Sequence, residues 1–345
     1  MKKIIISMMA VAALAACTKS EIQYEAANEI AFAPVARLNT KAAVVNTDYP
    51  DALNMYVFAN AGQAGAALST FDEPYFANAE FSHGSHPTNV FGGVTPYYWP
   101  NVKELIFSGY SKSGNTASLT TKPTYVKNET TNVWEINMTG YAPTPGTATA
   151  GDNDLMWFPT TDESYGKPAT ANFTVDVEMK HACSWVTINV KGDATTGKEG
   201  TTWQILDLTI ADLSQSGDVV LGAAANWDNL AEGTLFDVYE GTGKALTIDY
   251  VDYTQLTYKD LVVIPQETKT LTVTYSYVSQ AGGAADGSDL VIEEVKDIPL
   301  TYSGTNPWEA GVHYTYNITI GTQEILIEPT VKVWDSVTAP DVVLQ

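Results

Sequence analysis

Between Phe173 and Val333 the chain keeps alternating apolar and polar residues with a period of two. Phe173, Val175, Val177 and Met179 form one such series, and Val186, Ile188 and Val190 form the next. Further series follow at Trp203 to Ile210, at Leu246, Ile248 and Tyr250, at Leu261 to Ile264, and at Leu271, Val273, Tyr275 and Tyr277. The last are Tyr314, Tyr316, Ile318 and Ile320, then Ile325, Ile327, Val331 and Val333. An extended strand sends successive side chains to opposite faces, so each series carries one apolar face that must be covered. Turn clusters such as Gly282-Gly283 and Asp286-Gly287 separate the series. No window of ten or more residues carries an apolar stripe of helical period. Many one-faced strands joined by turns pack as sandwiches. The expected fold class is all-β.

The first half is less regular. Leu53 to Phe58, Glu104 to Tyr110 and Val133 to Met138 read as strands, whereas Ala61 to Ala67 and Thr139 to Gly151 read as loops rich in turn residues. The composition changes near Gly166 to Thr170. A length of 345 residues suggests about two domains. The expected division is a leader at 1–16, a propeptide at 17–37, an N-terminal domain at 38–168 and a C-terminal domain at 169–345.

The N-terminus carries an address. Lys2 and Lys3 precede an apolar stretch from Ile4 to Leu14, too short to span a bilayer. Leu14-Ala15-Ala16-Cys17 follows, a small-residue cleavage site with a cysteine directly after it. That order is the lipoprotein type, in which the Cys17 thiol is acylated and becomes the new N-terminus. More than one acyl chain holds stably to a bilayer, so the precursor is expected as an outer membrane lipoprotein. With Cys17 lipidated, Cys183 has no partner and the chain is no disulfide scaffold.

Charge narrows the partners. Eighteen basic residues face 40 acidic ones, a net charge of −22, which disfavours nucleic acid because phosphate binding needs a concentrated basic footprint. Only one basic residue is arginine. Arg37 ends the run Glu29-Ile-Ala-Phe-Ala-Pro-Val-Ala-Arg37 and is followed by Leu38. Ile30 and Phe32 alternate with Ala31 and Ala33, so they share one face of a short strand able to sit in a sheet. A protease that reads arginine finds one site here, and cutting between Arg37 and Leu38 releases that strand. The removed segment holds four basic residues (Lys2, Lys3, Lys19, Arg37) and three acidic ones (Glu21, Glu25, Glu29). The cut barely changes the charge, so its effect must be structural.

Constellations for chemistry are sparse. His83 and His86 lie three apart in a loop composition without a third ligand or an H-E-x-x-H pattern. Asp152-Asn153-Asp154 opens like a calcium loop, but Met156 stands at the fifth position and no glycine at the sixth. The segment from Gly109 to Gly114 misses the nucleophile elbow. Glu293 and Glu294 point to opposite faces of a strand. His181 and Cys183 share a strand face as neighbours, the bland reading of the cysteine being a small buried residue. No catalytic residue, cofactor or metal is expected. Tyr97-Tyr98-Trp99-Pro100 is the best candidate for an aromatic sugar platform.

Taken in order, these segments resemble the fimbrillins, the lipoprotein pilins and accessory subunits of type V pili. The likeness rests on the lipobox Leu14 to Cys17, the strand ending in Arg37, and Asp154-Leu155-Met156-Trp157. It continues with Val175 to Ala182, a hydrophobic-x-hydrophobic-x-x-x-His-Ala motif, followed by Val263-Ile264-Pro265-Gln266 and Trp308-Glu-Ala-Gly311 through Ile318 to Trp334. Cys183 departs from the pattern, which more commonly has leucine there. The resemblance implies two tandem transthyretin-like β-sandwich domains of Greek-key type. It also implies a surface Arg-specific maturation protease and assembly with other pilin subunits, in a homo- or heteropolymer, by strand exchange. The expected removable strand is that of Ile30 and Phe32. The expected donor strand is the C-terminal tail, where Val342 and Leu344 share a face, Val337 lies upstream, and Pro340 tolerates a sheet edge. The alternative is a monomeric surface lipoprotein acting as a tip adhesin, or binding a glycan or protein on host or bacterial surfaces.

Overall fold

A computed structural model describes residues 29–36, 47–48, 53–84, 86–87, 89–112, 121–143, 154–170, 172–192, 202–233, 236–238, 246–248, 252–255, 261–279, 290–301, 307–320 and 325–333. Among them, the only helical element is a single 3-10 turn at Leu68–Thr70. The strands of the first half are β1 (Ala31–Ala36), β2 (Thr47–Asp48), β3 (Met55–Gln63), β4 (Glu73–Ser82), β5 (Phe91–Gly93), β6 (Lys103–Lys112), β7 (Thr124–Lys127), β8 (Trp134–Tyr141) and β9 (Leu155–Phe158). Then come β10 (Thr174–His181), β11 (Ser184–Gly192), β12 (Thr202–Ile210), β13 (Ser214–Leu221), β14 (Ala225–Glu232), β15 (Phe236–Asp237) and β16 (Leu246–Ile248). The series ends with β17 (Thr254–Gln255), β18 (Leu261–Val263), β19 (Thr270–Ser279), β20 (Leu290–Pro299), β21 (Val312–Ile320) and β22 (Ile325–Val333). The protein is all-β, as its alternation requires.

The first sheet runs β10-β9-β6-β3-β4-β5-β1-β2, and β1 also pairs with β10. That extra pairing closes the sheet on itself. Inside the ring lies an aromatic core that includes Phe32, Phe76, Phe81, Phe91, Phe107 and Phe158. In the second half, β17-β11-β21-β22 with β18 and β15-β12-β19-β20 with β16 form two sheets. Their inward residues share one core, with Val186, Ile188 and Val190 of β11 facing Ile205, Leu208 and Ile210 of β12 and Leu271, Val273 and Tyr275 of β19. Trp308 anchors this sandwich. It is fully buried, its indole N–H donates to the Tyr316 hydroxyl at 2.9 Å, and that hydroxyl donates to the Leu300 carbonyl at 3.0 Å. A buried indole with its donor satisfied keeps its full apolar contribution.

A fourth sheet, β14-β13-β8-β7, joins the halves. Strand β8 pairs with β13 from Gly217↔Tyr141 to Leu221↔Ile136. A third core draws Phe58, Tyr110, Met138 and Trp157 together with Cys183, Val219 and Val262. Position 168/169 lies between β9 and β10, which pair with each other inside the first sheet. Two sheets thus take strands from both sides of that position.

Two expectations change. Residues 61–63, read as loop, are the end of β3, which pairs along its length with β6 as far as Gln63↔Lys103. A strand face that packs on Phe71 at Gly62 needs small residues, and small residues look like a loop in sequence; a Cβ on Gly62 would lie 2.6 Å from the Phe71 ring. His181 and Cys183 do not share one strand, because β10 ends at His181 and β11 begins at Ser184.

Candidate functional site

Strand β1 is held on both edges. Along one it runs parallel to β10, in register from Ala31↔Thr174 to Ala36↔Met179. Along the other it pairs with β5 at Ala31↔Gly92 and Phe32↔Phe91, and with β2 at Val35↔Asp48 and Ala36↔Thr47. The Ile30 N–H donates to the Tyr97 carbonyl at 2.8 Å, so the even-numbered residues direct their backbone groups away from β10. Pro34 shares that direction and falls in the gap between β5 and β2. A residue with no N–H to give therefore sits where neither neighbour asks for one.

The alternation foreseen for this strand is present. Ile30, Phe32 and Pro34 are buried, while Ala31 and Ala33 are half-buried. Ile30 and Phe32 have no exposed surface at all. The Phe32 ring meets Phe81 and Phe107 edge-on, with centroids 4.8 and 5.1 Å away, and Phe158 at 6.2 Å. Burying the two side chains is worth roughly 3–6 kcal/mol. Without β1, the ladder edge of β10 from Thr174 to Met179 and the pairing face of β5 lie open, above an apolar hole. The Phe81, Phe107 and Phe158 cage went unnoticed in the sequence. The rings come from three separate strands, and only the pairing brings them together.

Below the groove, β10 passes into β11 through a clamped junction. The Ala182 N–H donates to the Leu155 carbonyl at 2.7 Å, and the Trp227 indole donates to the Ala182 carbonyl at 2.8 Å. The Gly311 N–H donates to the Cys183 carbonyl at 2.8 Å, with Gly311 at a φ of 70°, the left-handed region that favours glycine. His181 Nδ1 contacts the buried Asp154 carboxylate. Burial pushes the Cys183 thiol well up, and Asp154 adds to it. Burial likewise raises the Tyr141 phenol, with Cys183 and Asp154 adding to the effect. Cys183, Tyr141 and Asp154 are buried and His181 is half-buried, and their contacts tie β9, β10 and β11 together at the junction.

The other foreseen residues fall as follows. Cys17, Arg37, Leu38, Val337, Val342 and Leu344 lie outside the described residues. The aromatic platform at 97–100 does not form: Trp99 is 5% exposed and packs edge-on against Phe107 and Phe173, while Tyr97 lies against Phe76 and Phe81. These aromatics roof the core at the point where β1 begins. Asp154 is turned inward to His181, so Asp152-Asn-Asp154 does not present it as a surface calcium ligand. His83 Nδ1 lies 3.3 Å from the Val90 carbonyl and the His86 ring covers Gly92, so the two imidazoles serve the loop beside β5.

A fimbrillin-like family model matches residues 40–334, most of the chain. The chain belongs to the fimbrillin-like family. Among solved structures, a fimbrial protein from Bacteroides vulgatus superimposes with a TM-score of 0.62 at 16% identity, covering 89% of this chain and 100% of its own. A putative cell adhesion protein from Parabacteroides distasonis gives a TM-score of 0.51 at 10% identity, covering 91% and 99%. At such identities the likeness speaks for the fold. No curated protein matches the sequence.

Proposed function

We propose that this fimbrillin-like chain is a structural subunit of a cell-surface fimbria, stalk or accessory. It reaches the outer membrane as a lipoprotein on Cys17 and becomes competent to assemble when an Arg-specific protease cuts between Arg37 and Leu38. The observation that carries the reading is β1: a strand built into the core, closing a sheet, and followed directly by the chain's only arginine. The family match supports the coarser part of the reading, a pilin-type subunit.

The physics of the step is simple. Before the cut, β1 is tethered to its own groove at a high effective concentration and no other strand competes. After the cut, it stays with the lipid while the body can leave it. An open groove exposes apolar surface and unpaired backbone groups, and a strand from a neighbouring subunit satisfies both. The residues 337–345 of that neighbour are the donor, with Val342 and Leu344 in the inward sites of Ile30 and Phe32. The glycan-binding alternative loses the indole of its aromatic platform, because Trp99 is core.

N-terminal sequencing of the surface protein tests the reading. Fibres should begin at Leu38. Arg37→Ala should leave a lipid-bound precursor that keeps β1 and forms no fibres by electron microscopy. Normal fibres from that variant would rule the cut out as the trigger.

A further inference from the structure

We propose that charged residues on the core-facing row of β20 keep its edge from pairing with a second copy of this chain, so that subunits cannot join by laying these strands side by side. The inference does not depend on the release of β1.

A free sheet edge offers unpaired N–H and C=O groups and is a template for another strand. Among the described residues, the first sheet closes as a ring and leaves no long edge. The edges at β15, β16, β17 and β18 are two or three residues long, and β7 has four. β14 is longer, but two shifts of register against β13 and the left-handed Asn229, at a φ of 49°, bend it. Two long edges remain, β20 and β22, both in the second half. β20 pairs with β19 from Thr270↔Pro299 to Ser279↔Leu290 without a shift. β22 pairs with β21 in the same way, from Val312↔Val333 to Ile320↔Ile325. Flat, unbroken edges of that length are what strand addition needs.

In part, β20 suits its own copy. Laid antiparallel about Val295, two such strands bring Val295 against Val295 and Ile292 against Ile298. Val295 is 59% exposed, so the contact would bury apolar surface that now meets water. The net charge of −22 does not forbid it, since physiological salt screens charge beyond about 8 Å.

The row that faces the core forbids it. Opposite residues of an antiparallel ladder share a face. Ile298 stands opposite Leu271, and both are buried. Lys296 stands opposite Val273, and Glu294 opposite Tyr275, again two buried partners. Lys296 therefore occupies a core-facing position, yet it is exposed. A lysine can do both only where the sheet ends: its stem runs over apolar surface and carries the ammonium past the edge into water. A strand added beside β20 would close that exit. Lys296 would then meet Glu294 of the second copy across the new ladder, and enclosing such a pair between two sheets costs more than its attraction returns. On the outward row, Glu293 would face Asp297, a pair of like charges. β22 carries a different obstacle. Pro329 stands mid-strand, opposite the buried Tyr316, with the register unshifted on either side. Proline keeps such a ladder where its nitrogen faces the open edge, and a strand arriving there finds no N–H.

The test compares the whole chain carrying Cys17→Ser with the same chain carrying Glu294→Val and Lys296→Val as well. Sedimentation velocity should find the parent monomeric and the variant self-associating at roughly tenfold lower concentration or less. Hydrogen exchange at residues 290–299 should be slower by roughly tenfold in the associated variant, and equal in both chains at residues 174–179. Val295→Cys, added to each chain together with Cys183→Ala, should give a disulfide-linked dimer in the variant, with a yield that falls on dilution, and almost none in the parent. Should the double variant not fold, Lys296→Gln, which shortens the stem and drops the charge, takes its place with the same expected results. A folded variant that stays monomeric with unchanged exchange at 290–299 would overturn the proposal. So would a parent that already links through Val295→Cys, or association that slows exchange only elsewhere.

Discussion

Replacing Phe32 by alanine should destabilise the precursor and leave the mature subunit untouched. Phe32 has no exposed surface and its ring packs on three others at 4.8, 5.1 and 6.2 Å. Deleting a buried phenylalanine from a close-packed site costs about 3–5 kcal/mol, and the upper part of that range applies where a rigid aromatic cage cannot collapse on the cavity. Urea titrations of the Cys17→Ser precursor, followed by tryptophan fluorescence, read the loss directly. The same substitution measured after an arginine-specific cut and removal of residues 1–37 should change nothing, because the altered residue has gone with β1. The cut variant should also shed β1 faster than the parent does. A loss below about 1 kcal/mol in the precursor would show that the cage does not hold the strand. An equal loss before and after the cut would show that β1 never leaves.

Three further outcomes follow from the same residues. Labelled palmitate fed to cells should enter the precursor and be absent from Cys17→Ser; equal labelling would place the lipid elsewhere. Deleting residues 337–345 should give a folded, cut and soluble subunit that cannot polymerise, and fibres from it by electron microscopy would show that the donor lies elsewhere. The Cys183 thiol should resist a thiol reagent up to about pH 9 in the folded protein and react fully in denaturant, because burial holds its proton above the usual thiol range. The sign for stability follows: the raised folded value means this residue's contribution is whole at neutral pH and is lost as pH rises past the value of the unfolded thiol.

The sequence is most legible where one face of a strand meets core and the other meets water. β10 and β21 are of that type, with burial alternating along each, and their apolar spacing announces them. β1 is legible for the same reason, although its partners are not: nothing in Ile30 and Phe32 says that Phe81, Phe107 and Phe158 wait for them. β9 shows the opposite case, since all four of its residues are buried and no alternation remains to see. β14 is exposed over most of its length, so it has almost no apolar face to read. In β4 the left-handed backbone of Asn78, at a φ of 51°, and the shifts of register against β3 break the period where a reader would look for it. Tyr97 and Trp99 mislead because aromatic residues read alike whether they face a ligand or a core.

The pairing of β8 with β13 bears on how such subunits can diversify. The Trp157 indole donates to the Gly222 carbonyl at 3.0 Å, and Tyr141 stands opposite Gly217 in the joining sheet. Genes that swap halves between related subunits would have to exchange both sides of these contacts together. A crossover between β9 and β10 would pair an indole from one parent with a carbonyl framed by the other. Point substitutions in surface loops carry no such constraint. Variation among relatives should therefore accumulate as local change around an inherited whole, and seldom as hybrids joined at the middle of the chain.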